Sequence, residues 1–318
     1  MEHYVTLFDS LFLPQGLALH MSMERHVKNY QLWILCVDDE VFAVLTKLSL
    51  SNVRLLQLSK LETEELLKVK VDRTNGEYCW TLTPFAPRFV FEADATVERV
   101  TYLDADLWFR KDPLPIFIEL DSSKKDVLIT DHAYAAKYDH STTSGQYCVQ
   151  FMTFSRLGGE VVRKWWEGKC LDWCYARHEN GKFGDQKYLD DWPERFAEKV
   201  HTLVDKELVM APWSAQRYPY GRSCVWHFHN VRIRTDGKDL LMSYGEYRLP
   251  YVVKQFVYKT YFHDLKQSIK ILKINNCALR LKSQNLFLAR IFDLKRTLQH
   301  LLFSFLNNLN CNVKLTED

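Results

Sequence analysis

Val100-Thr-Tyr-Leu-Asp104-Ala-Asp106-Leu-Trp-Phe109 is the stretch on which the reading of this chain turns. Val97–Leu103 is a short apolar run rich in β-branched and aromatic residues, which predicts a strand. That strand ends in two carboxylates at positions i and i+2, followed by an apolar turn and Lys111-Asp112-Pro113. Charged residues make up 26% of the chain, so a bare Asp-x-Asp of this kind is expected about once by chance. Its position gives it weight. Two hard oxygen ligands delivered to the end of a strand can hold one Mg²⁺ or Mn²⁺ against a diphosphate. Such an ion neutralises charge that builds on a departing phosphate. The competing explanation is a strand-end aspartate that caps the following turn.

Outward from this strand, short apolar runs alternate with helical stretches. Tyr4–Phe8, Gln31–Val37, Val53–Leu58, Asp126–Thr130 and Val149–Phe154 predict further strands. Pro14 to Tyr30 predicts a helix, as does Trp80 to Ala93, entered near Thr83-Pro84, because proline suits a first helical turn. Gly158 to Arg177 predicts another, broken by Gly181 and Gly184, with a short helix beginning between Asp185 and Phe196. His201–Val204 and Val225–Phe228 are late strand candidates. Strands separated by helices predict an α/β fold with a mostly parallel sheet covered on both faces. Ligands bind such sheets outside the carboxyl ends of the strands, so the residues just after each run carry the function.

Several residues meet that condition. Asp185 follows Gly181-Lys-Phe-Gly184, and glycine lets a backbone pass close to a ligand. Asp185 could accept a substrate hydroxyl, stabilise positive charge, act as a base, or simply cap a helix. His227 and His229 alternate on a predicted strand, so they should face opposite ways, with only one joining Asp104 and Asp106. Asp9 follows the first strand, and Asp38 and Asp39 follow the second; either place could meet a nucleoside, or be a solvated turn. Asp131 and His132 follow the fifth strand. Trp213, Arg217 and Tyr220 lie in a loop from Ala211 to Arg222 that could cover a donor, arginine being well matched to diphosphate.

Tyr102-Leu-Asp-Ala-Asp106 resembles the metal motif of GT-A glycosyltransferases, in particular glycosyltransferase family eight and related bacterial proteins of cell-surface polysaccharide assembly. Three further stretches resemble the same family in the same order, over roughly residues 1–250. Arg88, in Pro84-Phe-Ala-Pro-Arg-Phe89, matches an arginine that helps hold the donor. Phe183-Gly-Asp185-Gln186-Lys-Tyr-Leu189 resembles the Asp-Gln pair beside the transferred sugar. His227-Phe-His229-Asn230 resembles a late histidine motif that supplies a metal ligand, the family position favouring His227. The resemblance implies a GT-A (Rossmann-like) nucleotide-diphospho-sugar transferase fold. It also implies a Mn²⁺ or Mg²⁺ cofactor, a UDP-sugar or similar donor, a glycan or lipid-linked acceptor, and weakly a retaining outcome. Three positions depart from the family. Lys187 stands where a further Asp is usual, Asn230 where Gly is usual, and Tyr147-Cys148-Val149 where an Asn-Ala-Gly type of strand is usual.

Composition bounds the alternatives. The net charge is +2, so the chain as a whole is not a nucleic-acid binder. Aromatic residues make up 14%, including nine Trp, enough for sugar platforms as well as core. Trp165, Trp166 and Trp173 fall on a helix and read as core. The eight cysteines are scattered and read as buried thiols; Cys170 and Cys174 share a helical face but lack a second pair at zinc spacing. Neither a secretion signal nor a stretch long enough for a membrane-spanning helix is evident, which suits a cytoplasmic protein, peripheral at most. Residues 1–250 are expected to form the catalytic domain and 251–318 a basic amphipathic helical extension. From Leu265 to His300 that extension carries eight Lys and Arg against Asp293, and could lie on an anionic membrane, pack on the catalytic domain or make a dimer contact. A nucleotide-diphosphate-sugar hydrolase or pyrophosphorylase would want a Gly-rich phosphate loop or more clustered acids, and neither is present. A non-catalytic binding protein would be expected to have lost the paired acids.

Overall fold

The computed structural model describes residues 1–218, 221–235, 240–283 and 298. Its central strands are β1 (Glu2–Phe8), β2 (Tyr30–Cys36), β3 (Val53–Gln57), β4 (Arg99–Leu103), β6 (Val127–Asp131), β7 (Tyr147–Ser155) and β8 (Val200–Thr202), with β5 (Leu107–Phe109) set apart from them. The seven form one sheet in the order β3-β2-β1-β4-β7-β6-β8. All neighbours are parallel except that β7 runs antiparallel to both β4 and β6. The fold is therefore α/β with a parallel-rich sheet, as the alternating pattern predicts, with one reversed strand in its middle.

Side chains alternate across a strand, and here the two sets go to two cores. Tyr4, Phe8, Leu32, Ile34 and Leu103 pack with α1 (Leu13–His26), α2 (Asp39–Leu48) and α6 (Leu114–Ser123). Val5, Leu7, Trp33, Leu35, Val100 and Tyr102 pack on the other side with α3 (Glu64–Lys70), α4 (Asn75–Leu82) and α5 (Phe85–Ala93). Further along that side, Met152 and Phe154 of β7 meet Val162, Trp166 and Cys170 of a long helix, Glu160–Asp172. The stretch predicted as one helix from Trp80 to Ala93 is two. Thr74 and Glu77 form a capping box that starts α4 early, and Pro84 forces a new start at α5.

Beyond β8, two small sheets flank the central one. The first joins β5, β10 (Val225–His227) and β9 (Val209–Met210). The second joins β11 (Arg232–Thr235), β12 (Leu240–Ser243) and β13 (Lys282–Ser283). From Tyr251 a helix runs with a π-turn at Lys254–Tyr258 into Lys259–Ile274. It lies on α1: Tyr258, Tyr261, Leu265 and Ile269 are buried, and the Tyr261 ring stacks on Phe228 with centroids 3.6 Å apart. Asp264 is buried too, paired with Arg25 and accepting the Trp108 indole N–H at 2.7 Å. Leu265, Ile269 and Leu272 of this basic segment are thus used by the interior. Leu286, Leu294, Leu298, Leu301 and Phe305 continue its apolar pattern in the sequence; they lie outside the described residues except for Leu298, which is half exposed. No helix among the described residues is long and apolar enough to cross a membrane.

Candidate functional site

β4 delivers Asp104 to the carboxyl edge of the sheet. The Asp104 N–H bonds the Gln150 carbonyl of β7 at 3.1 Å, and the Leu107 N–H closes a turn onto the Asp104 carbonyl at 3.1 Å. That turn points Asp104 and Asp106 to one side. It leads into β5, which pairs antiparallel with β10 in a register that sets His227 opposite Leu107. A further bond from the Phe228 N–H to the Asp106 carbonyl, 2.9 Å, clasps the end of β10 to the turn. A histidine distant in sequence thereby arrives beside Asp106.

Asp104, Asp106 and His227 offer ligand atoms that all lie within 4.8 Å of one another. His227 Nε2 is 3.0 Å from Asp106 Oδ1 and 3.7 Å from Asp104 Oδ2. Its Nδ1 lies 2.8 Å from Gln150 Oε1, which can only accept, so Nδ1 carries a hydrogen and Nε2 is presented to the carboxylates. Burial alone would lower the His227 pKa, but the two aspartates outweigh it and hold the imidazolium form well above the usual histidine range. Burial pushes Asp104 up to about 6, helped by the Asp106 charge. Asp106 suffers the same burial, yet the attraction and hydrogen bond from His227 bring it below the ordinary carboxylate range. Two carboxylates and an imidazole gathered around a shared proton form a centre suited to a divalent ion.

The cluster sits in a cleft of about 570 Å³. One end is walled by Asp9 and Phe12 beyond β1 and by Asn75, Cys79 and Trp80 of α4. The other is walled by His132, Tyr134, Trp213, His229 and Tyr247. Asp185 lines the cleft as well. It is 3% exposed, its side chain makes no capping bond, and its Oδ2 has no hydrogen-bond partner. Burial, with the charge of Asp104 added, pushes its carboxyl up to about 7. The backbone around it is fixed: Gly184 sits at φ +54°, and Trp166 donates its indole N–H to the Asp185 carbonyl at 2.9 Å. Gln186 also lines the cleft and ties its amide to the Ser144 carbonyl at 2.7 Å. Helix capping therefore does not account for the Asp185 carboxylate.

Other residues singled out in the sequence fall into two groups. Asp9, Trp213 and His132 line the cleft, with the Trp213 indole donating to the His132 carbonyl at 2.8 Å. Asp38 does not: its oxygens accept the N–H groups of Val41 and Ser10, both at 2.8 Å, so it caps α2 and pins the loop after β1. Arg88 does not either. It lies on α5 with Nε 2.7 Å from Glu92, and a second contact reaches Glu167 at 3.9 Å. Arg217 is exposed outside the cleft, its guanidinium 5.3 Å from the Tyr218 ring. Asp131 pairs with Lys206 at 2.7 Å. Tyr220 lies outside the described residues.

The expectation that His227 and His229 face opposite ways is corrected. β10 ends at His227, and Asn230 turns the chain at φ +62°, so both rings line the cleft with centroids 5.7 Å apart. Only His227 belongs to the cluster with the carboxylates. The left-handed backbone at Asn230 is a conformation that glycine or asparagine tolerates best, which accounts for an asparagine at this turn. Two site residues, Gln150 and Arg232, escape the motifs, and a third, Tyr102, stands in one without a role assigned to it. Gln150 orients His227; its signal is a polar residue inside the apolar run Val149–Phe154. Tyr102 donates to Asp104 Oδ1 at 3.0 Å. Arg232 is the one arginine lining the cleft among the described residues.

No protein-family model matches the chain. Over 199 residues it is 35% identical to the protein YfnF of Bacillus subtilis (strain 168), a match spanning 61% of this chain and 66% of that one. It is 26% identical to YfnD of the same organism over 282 residues, 84% of this chain and 89% of that one. Among solved structures, mouse xyloside xylosyltransferase 1 superposes with a TM-score of 0.46 at 16% identity, covering 72% of this chain and 97% of that one. The glycosyltransferase GlyE of Streptococcus pneumoniae TIGR4 gives 0.47 at 14% identity, covering 89% and 66%.

Proposed function

We propose that this chain is a metal-dependent glycosyltransferase of the GT-A type, moving a sugar from a nucleotide-diphosphate donor, a UDP-sugar first among the candidates, to a glycan or lipid-linked acceptor in cell-surface polysaccharide assembly. The observation that carries the reading is the convergence of Asp104, Asp106 and His227 beside Asp185, a buried carboxylate with one oxygen unpartnered, in one cleft. The donor set fits Mn²⁺ better than Mg²⁺, which prefers oxygen ligands throughout. When bound, the ion would take up charge developing on the departing nucleoside diphosphate. The chain's own groups divide the remaining work. Gln150 fixes the His227 ring so that Nε2 stays directed at the ion. Asp9 and Phe12 border the end of the cleft nearest the carboxyl ends of β1 and β2, where a nucleoside fits. Arg232 takes the diphosphate role expected of Arg88 and Arg217, since neither of those reaches the cleft. Asp185 accepts a hydroxyl of the transferred sugar and steadies positive charge at its reacting carbon. Gln186, beside it, offers its amide oxygen.

The test is release of nucleoside diphosphate from a panel of nucleotide sugars, with and without Mn²⁺ and with neutral glycans as acceptors. Release that needs both Mn²⁺ and an acceptor is the expected result. Release to water alone, unaffected by acceptor, would favour a hydrolase. Absence of turnover together with Mn²⁺-dependent donor binding would favour a non-catalytic binding protein.

A further inference from the structure

The helix from Tyr251 to Ile274 is about 36 Å long at 1.5 Å per residue, and it presents two faces of opposite character. Val253, Val257, Tyr261, Leu265, Ile269 and Leu272 are buried against the body of the protein. The outward stripe is Lys259, then Lys266 two turns on, then Lys270 and Lys273 at i+4 and i+3 steps, all exposed. None of the four forms an ion pair among the described residues. The one acid between 251 and 283, Asp264, is turned inward onto Arg25 and Trp108, so nothing on this helix dilutes the positive stripe. At one end Phe256 is 70% exposed and Tyr251 57%, and at the other Ile274 is 69% exposed. A helix whose outer face served only to keep the protein in solution would gain from interspersed acids and would not need bare aromatic rings.

The geometry points to this stripe as a docking surface for the face of a phospholipid bilayer rich in anionic headgroups, with the lysines at headgroup level and Phe256, Tyr251 and Ile274 reaching the boundary below. This differs from an amphipathic helix that sinks its apolar side into lipid, because that side is already used by the core. Attraction is electrostatic, with shallow aromatic anchors. Each lysine near such a surface raises partitioning about fivefold, so four give several hundredfold at low salt, falling as salt rises. The inference does not depend on the reading of the cleft, and its test needs no turnover.

Vesicles of phosphatidylcholine alone, and of phosphatidylcholine with phosphatidylglycerol, are sedimented with the full chain at low and high salt. Binding to the anionic vesicles only, lost at high salt, is expected. Lys259→Ala/Lys266→Ala/Lys270→Ala should lower it about a hundredfold while circular dichroism stays unchanged, since all three side chains are exposed. Phe256→Ala should weaken what binding persists at intermediate salt. Three results would overturn the proposal: no sedimentation with anionic vesicles at low salt, equal binding to both vesicle types, or undiminished binding by the triple variant. Preferential capture by duplex DNA under the same conditions would do so too, by assigning the stripe to a different polyanion.

Discussion

Replacing Asp185 with Asn should stabilise the protein while it destroys turnover. The carboxyl is buried, one oxygen lacks a partner, and its pKa is pushed up to about 7 from an ordinary 3.8 by burial and by the Asp104 charge. A folded-state value above the unfolded one means that stability is present at low pH and is lost as pH rises through about 7. At pH 8 the ionised group costs the folded state about 3 pKa units at 1.36 kcal/mol each, or about 4 kcal/mol. An amide of the same shape removes that cost but brings an NH₂ group with no acceptor in place, a penalty of about 1–3 kcal/mol. The net gain should be about 1–3 kcal/mol, which is a rise of roughly 2–6 °C in Tm for a chain of this size.

Thermal unfolding of wild type and Asp185→Asn in EDTA, at intervals from pH 8 to pH 4, reads this directly. The advantage of the variant should hold above pH 7, shrink by about 1.4 kcal/mol per pH unit below it, and be gone or reversed near pH 4. A variant less stable than wild type at pH 8, or an advantage that does not change with pH, would refute the claim that the site stores electrostatic strain at Asp185. Donor binding should survive the substitution far better than turnover does, because the proposed role of Asp185 is toward the transferred sugar and not the nucleotide.

Asp104→Asn and Asp106→Asn should each abolish transfer and the thermal shift produced by Mn²⁺ while leaving the fold intact; near-wild-type turnover at limiting Mn²⁺ would dismiss the metal assignment. Gln150→Leu should lower Mn²⁺ affinity about 10–100-fold by freeing the His227 ring, measured by titration calorimetry, whereas His229→Ala should leave Mn²⁺ affinity nearly unchanged. Arg232→Ala should raise the donor KM more than it lowers kcat, and Arg88→Ala should leave donor KM unchanged. Truncation after Tyr251 should yield insoluble protein, because it strips Tyr258, Tyr261 and Leu265 from the core; a soluble, Mn²⁺-binding product would show that the helix is an independent appendage.

What is legible in the sequence divides along the distance over which information travels in the chain. Asp104 and Asp106 are legible because an apolar strand and the acids at its end are neighbours, and the direction of the strand follows from the alternation of β and α around it. The caps are equally local. Asp38 three residues before Val41, at the head of a helix, is an N-cap pattern, and Arg88 four residues before Glu92 is a helical ion pair. Position after a strand suggests a nucleoside contact for Asp38 and position in a motif a donor contact for Arg88, and in the folded chain those short-range partners win. His227 can be suspected from sequence but not placed. Its arrival depends on the antiparallel register of β10 on β5, which no local pattern encodes, and on a strand that stops after three residues, which defeats simple alternation. Gln150 shows a different limit. Its amide reaches His227 from the one central strand that runs against its neighbours, so the rule that sites lie at the carboxyl ends of parallel strands passes over it. A polar residue within a strand of otherwise apolar character is costly to bury unless it holds something, and that cost alone makes Gln150 a candidate for the site.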